Sequence, residues 1–340
     1  MFSYRLMRNA ASSLYRNRAG GAVPLLCSYL VTSACNLCCE GCSYRQSYLE
    51  CGQRMDGRGD LDTNAALALL RDSGFSRMPA LILAGGEPLM REDLFVLARE
   101  AASHVPVTIL VTNGTLIDAA AAAGIDAGFR MCAVSLDGDR AANDIIRGPG
   151  SFDMAVNGIT ELLRKRKKAR VAVACVVNRH NVATLAGFAG EMRRLGVDSV
   201  KFQLNFLEAL QPDPDRAAEG LEPLCDFSRK HPGFVLGGPD FLRRMIQYIG
   251  GKSATGCIAE CAAHMVISPT GAYSLCCYYP SALPGVHCLK DLAGMSRTEL
   301  KNKLAGCPGC LRYDEFAILS LLKDPVSKIR WTRVLRNLKP

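Results

Sequence analysis

A chain of 340 residues is long enough for one large domain with a small companion, or for two to three ordinary domains. Its hydrophobic fraction of 49% supports a sizeable core, while no apolar run approaches the ~18–20 residues that a membrane span needs. The formal net charge of +9 sits wholly at the two ends, so the body is neutral and carries no nucleic-acid footprint.

Residues 1–20 hold Arg5, Arg8, Arg16 and Arg18 without an acid, and Phe2, Leu6, Ala10 and Leu14 recur every four residues. This spacing predicts a basic amphipathic helix, fit either to pack on the protein body or to lie on an anionic bilayer. From residue 25 apolar strands alternate with amphipathic helices. Strand-like runs are 25–32, 80–84, 106–112, 129–136, 170–177 and 199–204. Helical runs lie at about 62–73, 91–103, 116–123, 151–167 and 181–195, with Asp62 or Asn64 able to cap the first and Ser151 the fourth. Nearly all-apolar strands, each followed by a helix, predict a parallel sheet covered by helices. Residues 211–222 are Pro- and charge-rich and read as a linker, 223–255 read as helical, and two short strands are expected at 264–268 and 272–276. At the far end Trp331, Val334, Leu335 and Leu338 share one helical face, with Lys328, Arg330, Arg333, Arg336 and Lys339 opposite.

The first strand runs into Cys35-Asn36-Leu37-Cys38-Cys39-Glu40-Gly41-Cys42. Within it Cys35, Cys39 and Cys42 are spaced Cys-x3-Cys-x2-Cys. Three thiolates on one loop can hold three irons of a 4Fe–4S cube and leave the fourth open to a ligand. A bacterial ferredoxin run would need a cysteine where Gly41 stands and a proline where Ser43 stands. A signal peptide ending at Ala34 would export a chain with 16 cysteines and waste the motif. In a long chain with clustered spacings, metal or cluster ligation is the better reading of those cysteines, and it implies a reducing cytoplasm.

The second strand ends in Gly85-Gly86-Glu87-Pro88, the fourth in Ser135-Leu136-Asp137-Gly138 followed by Arg147-Gly148, and the fifth in Asn178. With the three-cysteine loop, these stretches resemble the radical SAM enzymes. The resemblance covers about residues 25–312. It implies an α/β fold, a partial (β/α)6 barrel like an incomplete TIM barrel, with chemistry at the C-terminal strand ends. It also implies a 4Fe–4S cluster on Cys35, Cys39 and Cys42 whose open iron chelates S-adenosylmethionine (SAM). An electron from the cluster then cleaves SAM to a 5′-deoxyadenosyl radical, which abstracts hydrogen from a substrate. Carried over residue by residue, Gly85, Gly86 and Glu87 meet the SAM amino group. Ser135 and Arg147 meet its carboxylate and ribose, and Asn178 its ribose. Thr112-Asn113-Gly114-Thr115 also resembles the family but can equally shape a turn, and Gln203 and Asn205 stand where relatives position adenine. One departure stands out: relatives carry an aromatic residue before the third cysteine, where this chain has Gly41, and Tyr44 is the nearest substitute.

Cys261, Gly271, Cys276, Cys307 and Cys310 resemble a truncated SPASM domain, of the twitch type that holds one auxiliary 4Fe–4S cluster on four cysteines. Cys257, Cys277 or Cys288 could replace one of them. A zinc ribbon fits the ligand count equally well, and a c-type haem does not, because no histidine follows Cys310. Gly251-Lys252-Ser253 resembles the end of a P-loop, but Ile246 stands where its first glycine should be.

The organisation expected is a basic helix over 1–20, a radical SAM core over 21–210, a linker with helices over 211–255, a small α+β cluster-binding domain over 256–312 and a basic helix over 313–340. The enzyme expected takes its electron from a donor such as flavodoxin or ferredoxin and acts on an unknown substrate, a lipid or other small molecule being favoured by the basic ends. The expected location is the cytoplasm, with an anionic inner membrane face as a peripheral partner. A peptide maturase is the alternative, against which only 34 residues precede Cys35. A non-catalytic iron–sulfur or zinc scaffold is the alternative of another class, and it has no use for a SAM pocket.

Overall fold

The computed structural model describes residues 2–18, 24–42, 45, 55–205, 207–252, 263–276, 283–289, 291–305 and 307. Tyr44, Cys257, Cys261, Cys277, Cys310 and the basic segment 313–340 lie outside these residues.

The six apolar runs form six parallel strands: β1 Leu26–Thr32, β2 Ala80–Gly85, β3 Val107–Thr112, β4 Met131–Ser135, β5 Arg170–Val177 and β6 Ser199–Leu204. They pair in consecutive order. Two further strands extend the sheet on the β1 side. β7, His264–Ile267, pairs parallel to β1, and β8, Tyr273–Ser274, pairs antiparallel to β7. The order is therefore β6-β5-β4-β3-β2-β1-β7-β8. The first hairpin of the expected second domain is thus part of the barrel sheet itself.

Alternation along each strand divides the sheet into two faces. Cys27, Tyr29 and Val31 of β1, Leu81 and Leu83 of β2, and Val200 and Phe202 of β6 are buried in one core with the covering helices. The opposite face mixes small, polar and valine side chains where it reaches the strand ends. Ala84, Ser135 and Gln203 of that face line a cavity there.

The helices are α1 Phe2–Arg18, α2 Thr63–Leu70, α3 Leu94–His104, α4 Ala119–Gly128, α5 Arg140–Arg147, α6 Ser151–Lys165, α7 Leu185–Leu195, α8 Pro214–Lys230, α9 Gly238–Ile249 and α10 Arg297–Asn302. Asp62 caps α2 by accepting from Ala65 N, as expected. Ser151 does not cap α6. Asp144 on α5 accepts from Gly150 N at 2.8 Å and Phe152 N at 2.9 Å, so a carboxylate from the preceding helix takes the cap's place. The stretch 211–222, read as a linker, is mostly helix α8: Asp213 caps it through Arg216 N, and Pro214 falls at its first position, where a missing N–H costs nothing.

α1 docks on the body. Leu6 is buried, and Asn9 Nδ2 donates to Ser76 O at 2.9 Å and Met78 O at 3.1 Å. The Arg5 guanidinium donates to the carbonyls of Ser103 and His104, a cation at the C-terminus of α3. Tyr4, Met7 and Tyr15 face outward. Among the described residues no helix is long and apolar enough to cross a membrane.

Candidate active site at the C-terminal mouth of the sheet

The cysteine loop leaves β1 and turns across the C-terminal ends of the strands. Cys35, Cys39 and Cys42 are free thiols, each partly buried, and all three line a cavity of about 230 Å³. Backbone N–H groups point at two of the sulfurs: Leu37 N lies 3.5 Å from Cys35 Sγ, and Arg45 N lies 3.3 Å from Cys42 Sγ. Burial pushes the Cys35 thiol up and the Cys39 thiol up to about 11, with the Arg147 guanidinium opposing it at Cys39. Iron would hold the thiols deprotonated despite this burial. Three unpaired thiols, donors aimed at two sulfurs and an adjoining cavity fit a cluster with one open position. Cys38 is exposed and does not line the cavity.

The loop is held from several strands. Gly85, at φ +145°, packs on Thr32, where a Cβ would come within 3.1 Å of Thr32 N. Gly86 N donates to Thr32 O at 2.9 Å and Glu87 N to Ala34 O at 2.7 Å. Side-chain methyls have no room at either glycine, which is the local reason for the pair. From β3, Asn113 Nδ2 donates to Asn36 Oδ1 at 2.8 Å, and Asn36 Nδ2 donates to Thr115 Oγ1 at 2.9 Å. Beside α5, Glu40 N donates to Ile146 O at 2.7 Å.

The Glu87 side chain turns away from the cavity. It is fully buried and does not line the cavity. Its Oε1 accepts from Thr112 Oγ1 at 2.7 Å and Leu89 N at 3.0 Å, and its Oε2 from Asn113 N at 2.7 Å. Burial pushes the carboxyl up, and these three donors pull against that. The carboxylate is therefore committed to tying the end of β2 to the end of β3.

Gly85, Gly86, Ser135, Arg147 and Asn178 all line the cavity. Arg147 Nε donates to Asp137 Oδ2 at 2.9 Å, and Asp137 Oδ1 accepts from Val176 N at 2.7 Å. This buried, charge-assisted pair fixes the guanidinium beside Cys39. Asn178 spends its amide on a turn, donating to Val176 O at 3.0 Å and accepting from His180 N at 2.8 Å. Gln203 and Asn205 also reach the cavity. Gly41 has φ +76°, and a Cβ there would come within 2.5 Å of Leu210 Cδ1 and 3.0 Å of Asn205 Nδ2. The left-handed backbone disfavours any side chain at this position, and an aromatic one would also have to displace Leu210 and Asn205. Asp137, Asn36, Asn113 and Asp60 are the supporting residues that spacing did not assign, because the partners that tie them to other strand ends lie 27 to 79 positions away in sequence.

In the C-terminal part, Gly271 takes φ +83° at the turn between β7 and β8, as expected of it. Cys276 and Cys307 are partly buried, and their expected co-ligands Cys261 and Cys310 lie outside the described residues. Cys288 N donates to Asp291 Oδ2 at 3.0 Å in a turn of its own. Among the described residues no three Cys, His, Asp or Glu side chains stand close enough to share one metal ion.

The family model of the Radical SAM superfamily matches residues 29–192, the span that contains the loop, the glycine pair and the Asp137–Arg147 pair. The chain carries a radical SAM domain. Among curated proteins it is 36% identical to a pre-heme d1 synthase of Dinoroseobacter shibae, over 52% of this chain and 42% of that protein. It is 33% identical to a mycofactocin maturase of Mycobacterium ulcerans, over 51% of this chain and 45% of that one. The chain spans less than half the length of these relatives. Among solved structures, anSMEcpe with bound AdoMet superposes with a TM-score of 0.61 at 18% identity, covering 91% of this chain and 87% of that one. Streptococcus suis SuiB bound to precursor peptide SuiA gives 0.61 at 15% identity, covering 79% and 63%. At such identities the likeness establishes the fold, which is the partial barrel of radical SAM domains.

Proposed function

We propose that this chain reductively cleaves SAM and uses the product to abstract hydrogen from a substrate. The carrying observation is the convergence of Cys35, Cys39 and Cys42 with the Gly85–Gly86 strand end on one cavity at the mouth of the sheet. The three thiolates hold three irons of a 4Fe–4S cluster and leave the fourth for SAM. When bound, the cluster supplies the reducing electron for cleavage of the sulfonium, drawn from a donor such as flavodoxin or ferredoxin. The backbone at Gly85 and Gly86 receives the SAM amino group. Ser135 and Arg147 receive its carboxylate and ribose, with Arg147 oriented by Asp137. Met55, Val111 and Leu204 give the cavity its apolar wall and limit water around the reacting atoms. A second cluster on Cys261, Cys276, Cys307 and Cys310 fits an oxidation in which it carries an electron away.

A small organic substrate is the favoured reading, supported by the named pre-heme d1 synthase relative. A peptide substrate is the second reading, supported by the mycofactocin maturase relative and by the fold of SuiB, solved with its precursor peptide. Attachment to an anionic membrane face through the basic ends belongs to the small-molecule reading; α1 keeps Tyr4, Met7 and Tyr15 exposed for it.

The test is direct. Protein reconstituted with iron and sulfide without oxygen, then reduced with dithionite, should convert SAM to 5′-deoxyadenosine and methionine. Cys39→Ala should abolish the reaction. Normal turnover in that variant would end the proposal.

A further inference from the structure

The cysteine loop is gripped from outside the motif that defines it. Asp60, 25 residues beyond Cys35, turns its carboxylate back onto the root of the loop. Its Oδ2 accepts from Thr32 Oγ1 at 2.6 Å, and its two oxygens accept from Ser33 N at 3.0 and 3.1 Å. Thr32 Oγ1 in turn accepts from Ala34 N at 3.1 Å, one residue before Cys35. Ser33 Oγ accepts from Gly57 N at 3.1 Å, and Asp60 N closes its own turn on Gly57 O at 3.1 Å. The Thr32 and Ser33 side chains and the Ser33 N–H are therefore fastened to residues 57–60, while the Thr32 and Ala34 carbonyls are held by Gly86 N and Glu87 N.

The same segment reaches in two further directions. At one end Met55 lines the SAM cavity. At the other, Leu61 N donates to Pro269 O at 2.8 Å, in the turn between β7 and β8. Gly271, in that turn, passes so near Leu61 that a Cβ would come within 3.2 Å of Leu61 Cδ1. Cys276, an expected ligand of the second cluster, follows directly after β8.

We propose that residues 55–61 form a strap that couples the cysteine loop to the β7–β8 turn, with Asp60 as its clasp and as a positioning residue for Cys35. The inference rests on Cys35, Cys39 and Cys42 being cluster ligands. Asp60 touches neither cluster nor SAM in this scheme. It fixes the direction in which the backbone enters the loop, and hence where the first thiolate stands relative to the cavity. A carboxylate suits the task, because two acceptor oxygens can serve a hydroxyl and a backbone N–H at once.

The test compares wild-type protein, Asp60→Ala, Asp60→Asn and Thr32→Val, each reconstituted with iron and sulfide and normalised to bound iron. Two properties are read: the change in the electron paramagnetic resonance spectrum of the reduced cluster on adding SAM, and the KM for SAM. A misplacement of about 1 Å at the loop root should raise KM roughly tenfold in Asp60→Ala and shrink the SAM-induced spectral change. Asp60→Asn retains one acceptor and should recover part of both. A merely structural role would lower the yield and melting temperature of Asp60→Ala while leaving both properties per iron unchanged, and that result overturns the inference. Should Asp60→Ala fail to fold, Thr32→Val removes the hydroxyl's two bonds, to Asp60 and from Ala34 N, at constant shape, and wild-type values there overturn it equally. Wild-type protein that binds no cluster or shows no SAM-induced change would instead refute the functional proposal on which the inference rests.

Discussion

Replacing Gly86 by Ala gives the sharpest test of how the strand end and the loop fit together. The added methyl would come within 2.7 Å of Ser33 O and Ala34 C, and closer still to Ala34 O. These are backbone atoms, so no side chain can swing aside. Reaching an ordinary contact of about 3.5 Å requires the loop to retreat by about 1 Å. That retreat stretches the 2.7 Å bond from Glu87 N to Ala34 O and displaces Cys35, the next residue. Overpacking of this kind costs about 1–3 kcal/mol, and the lost hydrogen bond about 1 kcal/mol more. The effect on catalysis should be larger than on stability, because a misplacement of about 1 Å can cost on the order of 100-fold in rate. The assay is 5′-deoxyadenosine formed per bound iron, followed by chromatography, alongside thermal unfolding. Gly187→Ala is the control. That glycine is exposed on α7 with nothing within 4 Å of a Cβ, so alanine there should stabilise by about 0.5–1 kcal/mol without changing turnover. If Gly86→Ala turns over SAM within twofold of wild type, the packing of strand end against loop does not control the cluster's position.

Two further outcomes are expected. Burial works against the Asp126 carboxylate, but the backbone N–H groups of Ala169, Lys168 and Lys167 hold it below the usual carboxylate range. A depressed folded pKa contributes stability above the unfolded value near 3.9, and that stability is lost as pH falls through the folded pKa. Asp126→Asn should therefore cost about 1–2 kcal/mol at pH 7 in denaturant unfolding, and the gap to wild type should close below about pH 4; a gap independent of pH would refute this. For the C-terminal cysteines, full reconstitution should load about eight irons per chain, and Cys307→Ala with Cys310→Ala about half of that. Unchanged iron, or one zinc per wild-type chain, would point to a zinc ribbon instead.

The sequence alone determined the elements and the chemical alphabet of this protein. Six apolar runs became six parallel strands, because a strand covered by helices on one face and closed into the barrel on the other is apolar over most of its length. The spacing of Cys35, Cys39 and Cys42, and the glycines ending β2, carry their meaning within a few residues, and both reach the cavity. Only the tertiary structure decided how these parts are held. Glu87 stands in a motif, yet Thr112 and Asn113, 25 and 26 residues on, claim its carboxylate. Gly41 breaks the family pattern where its backbone is left-handed and Leu210 and Asn205, just beyond β6, crowd it. The hairpin at 264–274 looked like the start of another domain, and it joined β1. Residues 211–222 looked like a linker because proline and charge mark loops, but a proline at the first turn of a helix displaces no hydrogen bond. Periodicity and spacing are local, so a chain displays them before it folds. Partners such as Asp60 and Thr32 are chosen only when the sheet brings distant segments together, and no local pattern encodes that meeting.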